Sequence, residues 1–133
     1  MKTRLTTVVP YITKDGSEIR ELMHPAQHGN QNQSLAEALV PPGTRTLLHR
    51  HLTSEELYHV TAGEGLLTLG TEKIKVSPGD TALIPPGTPH CIEAIGAQPL
   101  RILCCCSPAY RHEDTELLEA SLNEGLPGLF ILT

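Results

Sequence analysis

The chain has 133 residues and a net charge of −5, from 10 basic and 15 acidic side chains, a length that suits one domain with a core of its own. Aromatic residues make up only 3%, with no Trp, so the basic patch with stacking aromatics that marks a nucleic-acid binder is missing. No apolar run approaches the roughly 20 residues of a membrane span, and the opening MKTRLTTVVPYITKDG is charged too soon for a signal peptide, which makes a cytoplasmic location the expectation.

Eleven Gly and eleven Pro divide the chain into short runs rich in Val, Ile, Leu and Thr. In order these are Glu18 to Met23, Leu35 to Val40, Arg45 to His51, Leu57 to Val60, Gly65 to Leu69, Glu72 to Val76, Thr81 to Ile84, His90 to Ala94 and Leu100 to Cys106. Turn signals such as Pro41-Pro42-Gly43, Gly63-Glu64-Gly65, Pro78-Gly79-Asp80 and Pro85-Pro86-Gly87 separate them. Many short strands between Gly/Pro turns predict an all-β sandwich or closed barrel. A helix is expected from about Thr115 to Leu122, capped by Asp114, with Leu117, Leu118 and Leu122 on one face and Gly125 after its end. The apolar tail LPGLFILT is expected to pack on the barrel or on a second subunit. This organisation gives a single domain over residues 1–133, with a barrel core at about 35–106 and a C-terminal helix and tail over 112–133.

The cysteines are Cys91, Cys104, Cys105 and Cys106. They show no CxxC spacing, and adjacent strand positions point to opposite faces, so the run of three does not pair with itself. They read either as small buried apolar residues of a reduced protein or as a thiol within a pocket. The sequence leaves open which face of the last strand looks inward.

Candidate chemistry begins at His49-Arg50-His51. Residues i and i+2 of a strand share a face about 6.5 Å apart, so the two imidazoles can converge on one cation. Such a pair alone also fits two surface or core histidines. Glu56 follows a short turn and opens the next strand, and His90 opens another after Pro85-Pro86-Gly87. Three neutral imidazoles and a carboxylate suit one divalent ion of Mn, Fe, Co, Ni, Cu or Zn. They leave positions open on a six-coordinate ion, as a catalytic site requires.

The stretch Gly43-x5-His49-x-His51-x4-Glu56-x6-Gly63 resembles the first motif of the cupin superfamily at every position, and Gly79-x5-Pro85-x-Gly87-x2-His90 resembles the second through its His. Fifteen residues lie between the two stretches, like the short spacing of small single-domain (type 2) members. One position departs: Ala94 stands where the second motif usually has Asn. The resemblance implies a double-stranded β-helix, or jelly-roll barrel, with a metal in its mouth, and it carries ligand roles onto His49, His51, Glu56 and His90. It also implies a homodimer, which the outward parity of Leu48 and Leu57 and the apolar tail independently favour.

Strand alternation extends the site. If His49 and His51 face inward, Arg45 and Leu47 share that face, and Arg45 becomes an interior cation for an anionic substrate group, unless its head reaches solvent. Tyr58 follows Glu56 on the inner face, as a partner of Glu56, a substrate contact or simple packing. Tyr110 and His112 come after the last barrel strand and can cover the mouth. His59 and Glu55 have outward parity, and His24 and His28 sit in a polar loop. These features predict a small metalloenzyme acting on a compact polar or anionic substrate, with an oxygenase or decarboxylase favoured because no spare inward acid or base is evident. A phosphosugar isomerase and a non-catalytic metal-dependent binding module for a sugar or anion are the alternatives.

Overall fold

The computed structural model describes residues 1–120. Among the described residues there are eleven strands: β1 (Tyr11–Ile12), β2 (Glu18–Met23), β3 (Ser34–Val40), β4 (His49–His51), β5 (Glu55–Ala62), β6 (Gly65–Leu69), β7 (Glu72–Val76), β8 (Thr81–Ile84), β9 (His90–Ala94), β10 (Leu100–Ser107) and β11 (Thr115–Leu117). They form two antiparallel sheets, β1-β2-β3-β10-β5-β8 and β11-β4-β9-β6-β7, which face each other as a jelly roll. One turn of helix, α1 (Pro25–His28), lies between β2 and β3, capped by the His24 ring and closed by Gly29 at φ 86°.

The inward residues change character along the strands, and this gradient creates the site. At one end Val40, Val60, Leu67, Val76, Ile84, Ile92, Leu100 and Ile102 close-pack into a sealed core. Towards the other end the inward positions of β3 become Ala38, Ala36 and Ser34, and those of β10 become Cys104 and Cys106. These small side chains cannot fill the space between the sheets, so the barrel opens into a cavity there. At the closed end the turn at Gly63 has φ +82°, and a Cβ there would stand 2.5 Å from the Pro99 carbonyl oxygen and 2.8 Å from Leu100 Cα. Only glycine fits that turn.

The expected helix at Thr115 is corrected. Thr115, Glu116 and Leu117 pair instead with His51, Arg50 and His49 as a strand, after a short 3-10 turn at His112–Asp114. The reason is tertiary. Asp114 does not cap a helix; its Oδ1 accepts from Thr53 N at 2.9 Å and Thr53 Oγ1 at 2.7 Å, and its Oδ2 from Ser54 N at 3.1 Å. Glu116 lies across from Arg50, 2.7 Å from its guanidinium. Pairing with the open edge of β4 outweighs local helix preference, which is a weak prior. Leu122, Gly125 and the apolar tail lie outside the described residues.

Asp114→Ala removes the acceptor for two backbone amides beside the buried Ser54. We expect a loss of about 1–3 kcal/mol, read by denaturant melts at pH 7. Burial opposes the Asp114 charge, but the Thr53 and Ser54 donors outweigh it and hold the carboxyl below its ordinary 3.8. The stability it contributes is therefore fully present above that value, and the gap between variant and wild type narrows as pH falls below it.

Candidate functional site

Three histidines meet at the cavity wall. His49 and His51 share the inner face of β4, and His90 is the direct cross-strand partner of His49 on β9. Ring centroids are 4.2 Å apart for His49 and His90, 5.2 Å for His49 and His51, and 5.3 Å for His51 and His90. One nitrogen from each ring lies within 4.8 Å of the others.

Each ring is oriented by its other nitrogen. His49 Nδ1 donates to the Leu47 carbonyl at 2.7 Å, and His90 Nδ1 donates to that of Thr88 at 2.9 Å. His51 Nδ1 lies 3.0 Å from Thr115 Oγ1, whose own proton goes to the Arg111 carbonyl at 3.1 Å. These acceptors place the protons on Nδ1 and turn three Nε2 lone pairs towards one point, which is how metal-binding imidazoles are held.

Glu56 approaches the same point from β5. Its Oε1 is 3.1 Å from His51 Nε2 and 3.6 Å from His90 Nε2. Its Oε2 accepts from Cys106 Sγ at 3.3 Å. Burial opposes the charge on Glu56, but contact with His51 and then His90 outweighs it and holds the carboxyl far below its usual range. Burial pulls His49 down and leaves it neutral, whereas in His51 the Glu56 carboxylate outweighs burial and raises the ring. Glu56 Oε1 and His90 Nε2 are buried without a hydrogen-bond partner. Unpartnered buried polar atoms are costly, and a divalent ion among these nitrogen and oxygen donors would satisfy them. The residues present thus fit a transition metal.

The other expected site residues are placed as follows. Tyr58 is buried on the cavity wall with its ring edge-on to His90, centroids 6.0 Å apart. Burial, reinforced by Glu56, keeps its hydroxyl protonated. Tyr110 packs edge-on against His51 at 5.8 Å and lines the cavity, and its hydroxyl meets Thr13 Oγ1 at 3.2 Å and His112 Nδ1 at 2.9 Å. Burial raises the Tyr110 hydroxyl to about 12. His112 reaches the site only through Tyr110, and itself lines a shallow outer vestibule.

Of the two placements open for Arg45, interior cation or solvent-reaching head, the structure has the second, and the candidate substrate contact is not formed. Its guanidinium lies outside the cavity in a two-pronged pair with Glu119, at 2.6 and 3.2 Å. Alternation fails because residues 46 to 48 do not continue a regular strand. Thr46 faces inward, its Oγ1 accepting from Ile92 N at 3.0 Å, and His49 faces inward three positions later.

Several cavity residues were not singled out in the sequence. Asp15 Oδ2 stands 3.6 Å from His49 Nε2. Glu21 on β2 is buried, with Oε2 accepting from Tyr11 at 3.1 Å and Oε1 unpartnered. Cys104 and Cys106, on the strand whose inward face the sequence leaves open, are the inward thiols. The period-2 series Ser17, Ile19, Glu21 in Glu18 to Met23 and its preceding turn was the available signal. The cavity has a free volume of about 50 Å³, several times the roughly 10–15 Å³ one water needs, so beside an ion it admits only a compact ligand. Among the described residues lining it there is no Lys or Arg.

The profile of the cupin domain matches residues 36–106. The chain is 60% identical over 119 residues to an uncharacterized protein of Methanocaldococcus jannaschii, covering 90% of this chain and 95% of that one. It is 30% identical over 84 residues to the oxalate-binding protein of Thermotoga maritima, 63% of this chain and 65% of the other. Among solved structures, the polyketide cyclase RemF from Streptomyces resistomycificus superposes with a TM-score of 0.77 at 23% identity, covering 93% of this chain and 89% of that one, a likeness of fold.

Burial pushes the Glu21 carboxyl above its ordinary 4.5, against partial relief from His24, Tyr11 and His28. A folded-state pKa above the unfolded value means that the unfolded chain releases the proton first, so stability falls as pH rises from about 4.5 through the raised value. Glu21→Gln is expected to match wild type at pH 4 and to melt at higher temperature at pH 8; parallel melting curves across that range would contradict this.

Proposed function

The chain belongs to the cupin domain family, and on that premise we propose that it holds one divalent transition-metal ion on His49, His51, His90 and Glu56 and acts as a small metalloenzyme, of oxygenase or decarboxylase kind, on a compact oxygen-rich substrate. The observation that carries this reading is the convergence of three Nε2 atoms, each ring fixed through Nδ1, beside an unpartnered Glu56 oxygen in a small cavity. A bound ion would supply Lewis-acid polarisation of a substrate oxygen, or electrons if it is redox-active.

The chain's own residues would do the rest. Thr115, Leu47 and Thr88 fix the imidazoles, and Cys106 steadies Glu56 Oε2 while Oε1 faces the cluster. Tyr58 and Ile92 bound the cavity beside His90, and Tyr110 narrows it beside His51.

A non-catalytic binding module is the second reading, favoured by the oxalate-binding relative. A phosphosugar isomerase is disfavoured, because the described lining offers no Lys or Arg to a phosphate and Arg45 faces away. A homodimer is supported by an apolar row on the outer face of the six-stranded sheet. Leu83, Leu57, Cys105, Leu35 and Met23 follow one another across β8, β5, β10, β3 and β2, and Leu57 and Leu83 are 42% and 50% exposed. A second copy is the occupant that would cover this row. No helix among the described residues is long and apolar enough to cross a membrane, and four free thiols support a reducing, cytoplasmic setting.

Elemental analysis of the protein as isolated should find about one transition-metal ion per chain, and His51→Ala should lose it; full retention by the variant would overturn the ligand assignment. Oxygen uptake with Fe(II), or carbon dioxide release from oxalate with Mn(II), would support catalysis, whereas tight oxalate binding without turnover would favour the binding module. Leu57→Glu with Leu83→Glu should sediment as a monomer if that face joins two copies; an unchanged dimer would place the interface elsewhere.

A further inference from the structure

We propose that Asp15 is a fifth residue of the metal centre, its Oδ2 entering the ion's coordination shell from the His49 side. The proposal rests on the metal reading above and adds to it a ligand that neither stretch of the double motif contains. Glu56 Oε1 lies 3.1 and 3.6 Å from Nε2 of His51 and His90, and Asp15 Oδ2 lies 3.6 Å from Nε2 of the remaining ring, His49. Each imidazole thus has a carboxylate oxygen beside its inward nitrogen, and Asp15 is as near to its ring as Glu56 is to His90. Adjacent ligand atoms on an octahedral ion with bonds of about 2.1 Å would stand about 3 Å apart; each carboxylate oxygen is near that spacing from its own ring, while among the described residues the three ring nitrogens form the group whose atoms all lie within 4.8 Å of one another.

The local structure aims Asp15 at this point. Its Oδ1 is occupied by Ser17, accepting from the backbone N at 2.9 Å and from Oγ at 2.7 Å. Its Oδ2 has no hydrogen bond among the described residues, only the approach to His49. The turn that presents it is closed by Thr13 N to Ser17 O and Gly16 N to Thr13 O, both 3.0 Å, with Gly16 at φ 95°. That turn is clamped to the ligand segment itself: Leu47 N donates to the Asp15 carbonyl at 2.8 Å, and the Leu47 carbonyl accepts from His49 Nδ1.

A charge argument points the same way. Asp15 is 9% exposed, and no Lys or Arg among the described residues pairs with it. A buried carboxylate is expensive without a cation. The nearest candidate, Lys14, is turned away to the carbonyls of His112 and Thr115, at 3.3 and 2.7 Å. A divalent ion would compensate both Asp15 and Glu56 and leave a neutral centre of three imidazoles and two carboxylates. A six-coordinate ion would then keep one position for substrate.

The competing explanation is that Asp15 serves only to cap its turn through Oδ1. Asp15→Asn separates the two roles, because the amide oxygen can still accept from Ser17 while the anionic Oδ2 is lost. With the full chain loaded with Mn(II) and with Co(II), we expect Asp15→Asn to weaken Mn(II) binding at least tenfold by calorimetry and to change the visible absorption of bound Co(II). A dissociation constant within twofold of wild type, with a superimposable Co(II) spectrum, would overturn the proposal. Pulsed electron–nuclear double resonance of wild-type Mn(II) protein carrying carboxyl-13C aspartate needs no variant. A strong 13C coupling is expected, since Asp80 and Asp114 are engaged elsewhere, and its absence would also overturn the proposal. If His51→Ala loses the ion while Asp15→Asn keeps it unchanged, the metal reading stands and the role of Asp15 falls. If the wild type binds neither ion, both fall.

Discussion

The pairing of β4 with its two neighbours is the constraint on which the site depends. This strand has only three residues, and two of them are the inward histidines. On one side His49 is in register with His90 of β9; on the other, His51 is opposite Thr115 of β11. A one-residue slip against either neighbour would turn these side chains to the opposite face. Side-chain contacts reinforce the backbone bonds on both flanks: Thr46 to the Ile92 amide on one, and Asp114 to the Thr53-Ser54 turn on the other. The 3-10 turn and β11 are therefore part of the centre, although they follow the barrel core in sequence.

The same arrangement explains how so much polarity is tolerated inside a small barrel. His49, His51, His90 and Glu56 are each at most 5% exposed. The sealed aliphatic end provides apolar burial, the main favourable contribution in folding, while the opposite end carries groups whose mutual contacts only partly replace water. Nδ1 protons, the Cys106 thiol and Ser17 satisfy what the protein itself can satisfy. The inward nitrogens and carboxylate oxygens remain, and they point at one another.

Much of the fold was legible because strands alternate with period 2 and Gly/Pro turns punctuate them. The same regularity brought Glu56 and His90, each near the start of its strand, towards the histidine pair. Alternation leaves Arg45 undecided because it does not hold across residues 46 to 48, where the backbone is irregular and Thr46 takes the inward place. The strand at Thr115 to Leu117 is hidden from local reading because helix signals carry no information about an open strand edge 64 residues upstream. Asp15 and Glu21 carry little local signal for a related reason: β2 is brought to the cavity by pairing with β3, and in isolation the preceding Asp15-Gly16 looks like any polar turn.

The gradient of side-chain size along β3 and β10 also bears on how relatives diverge. Ala36, Ala38 and Cys104 bound the cavity, yet none of them supplies a nitrogen or carboxylate oxygen to the cluster. Exchange at these positions adds or removes a methylene or two of wall while leaving the donor set untouched. The space in such a barrel can therefore drift by conservative steps in aliphatic bulk, each tolerable to the fold, beside a constant set of donors. One scaffold can in this way change the size and shape of its cavity without disturbing the histidine cluster.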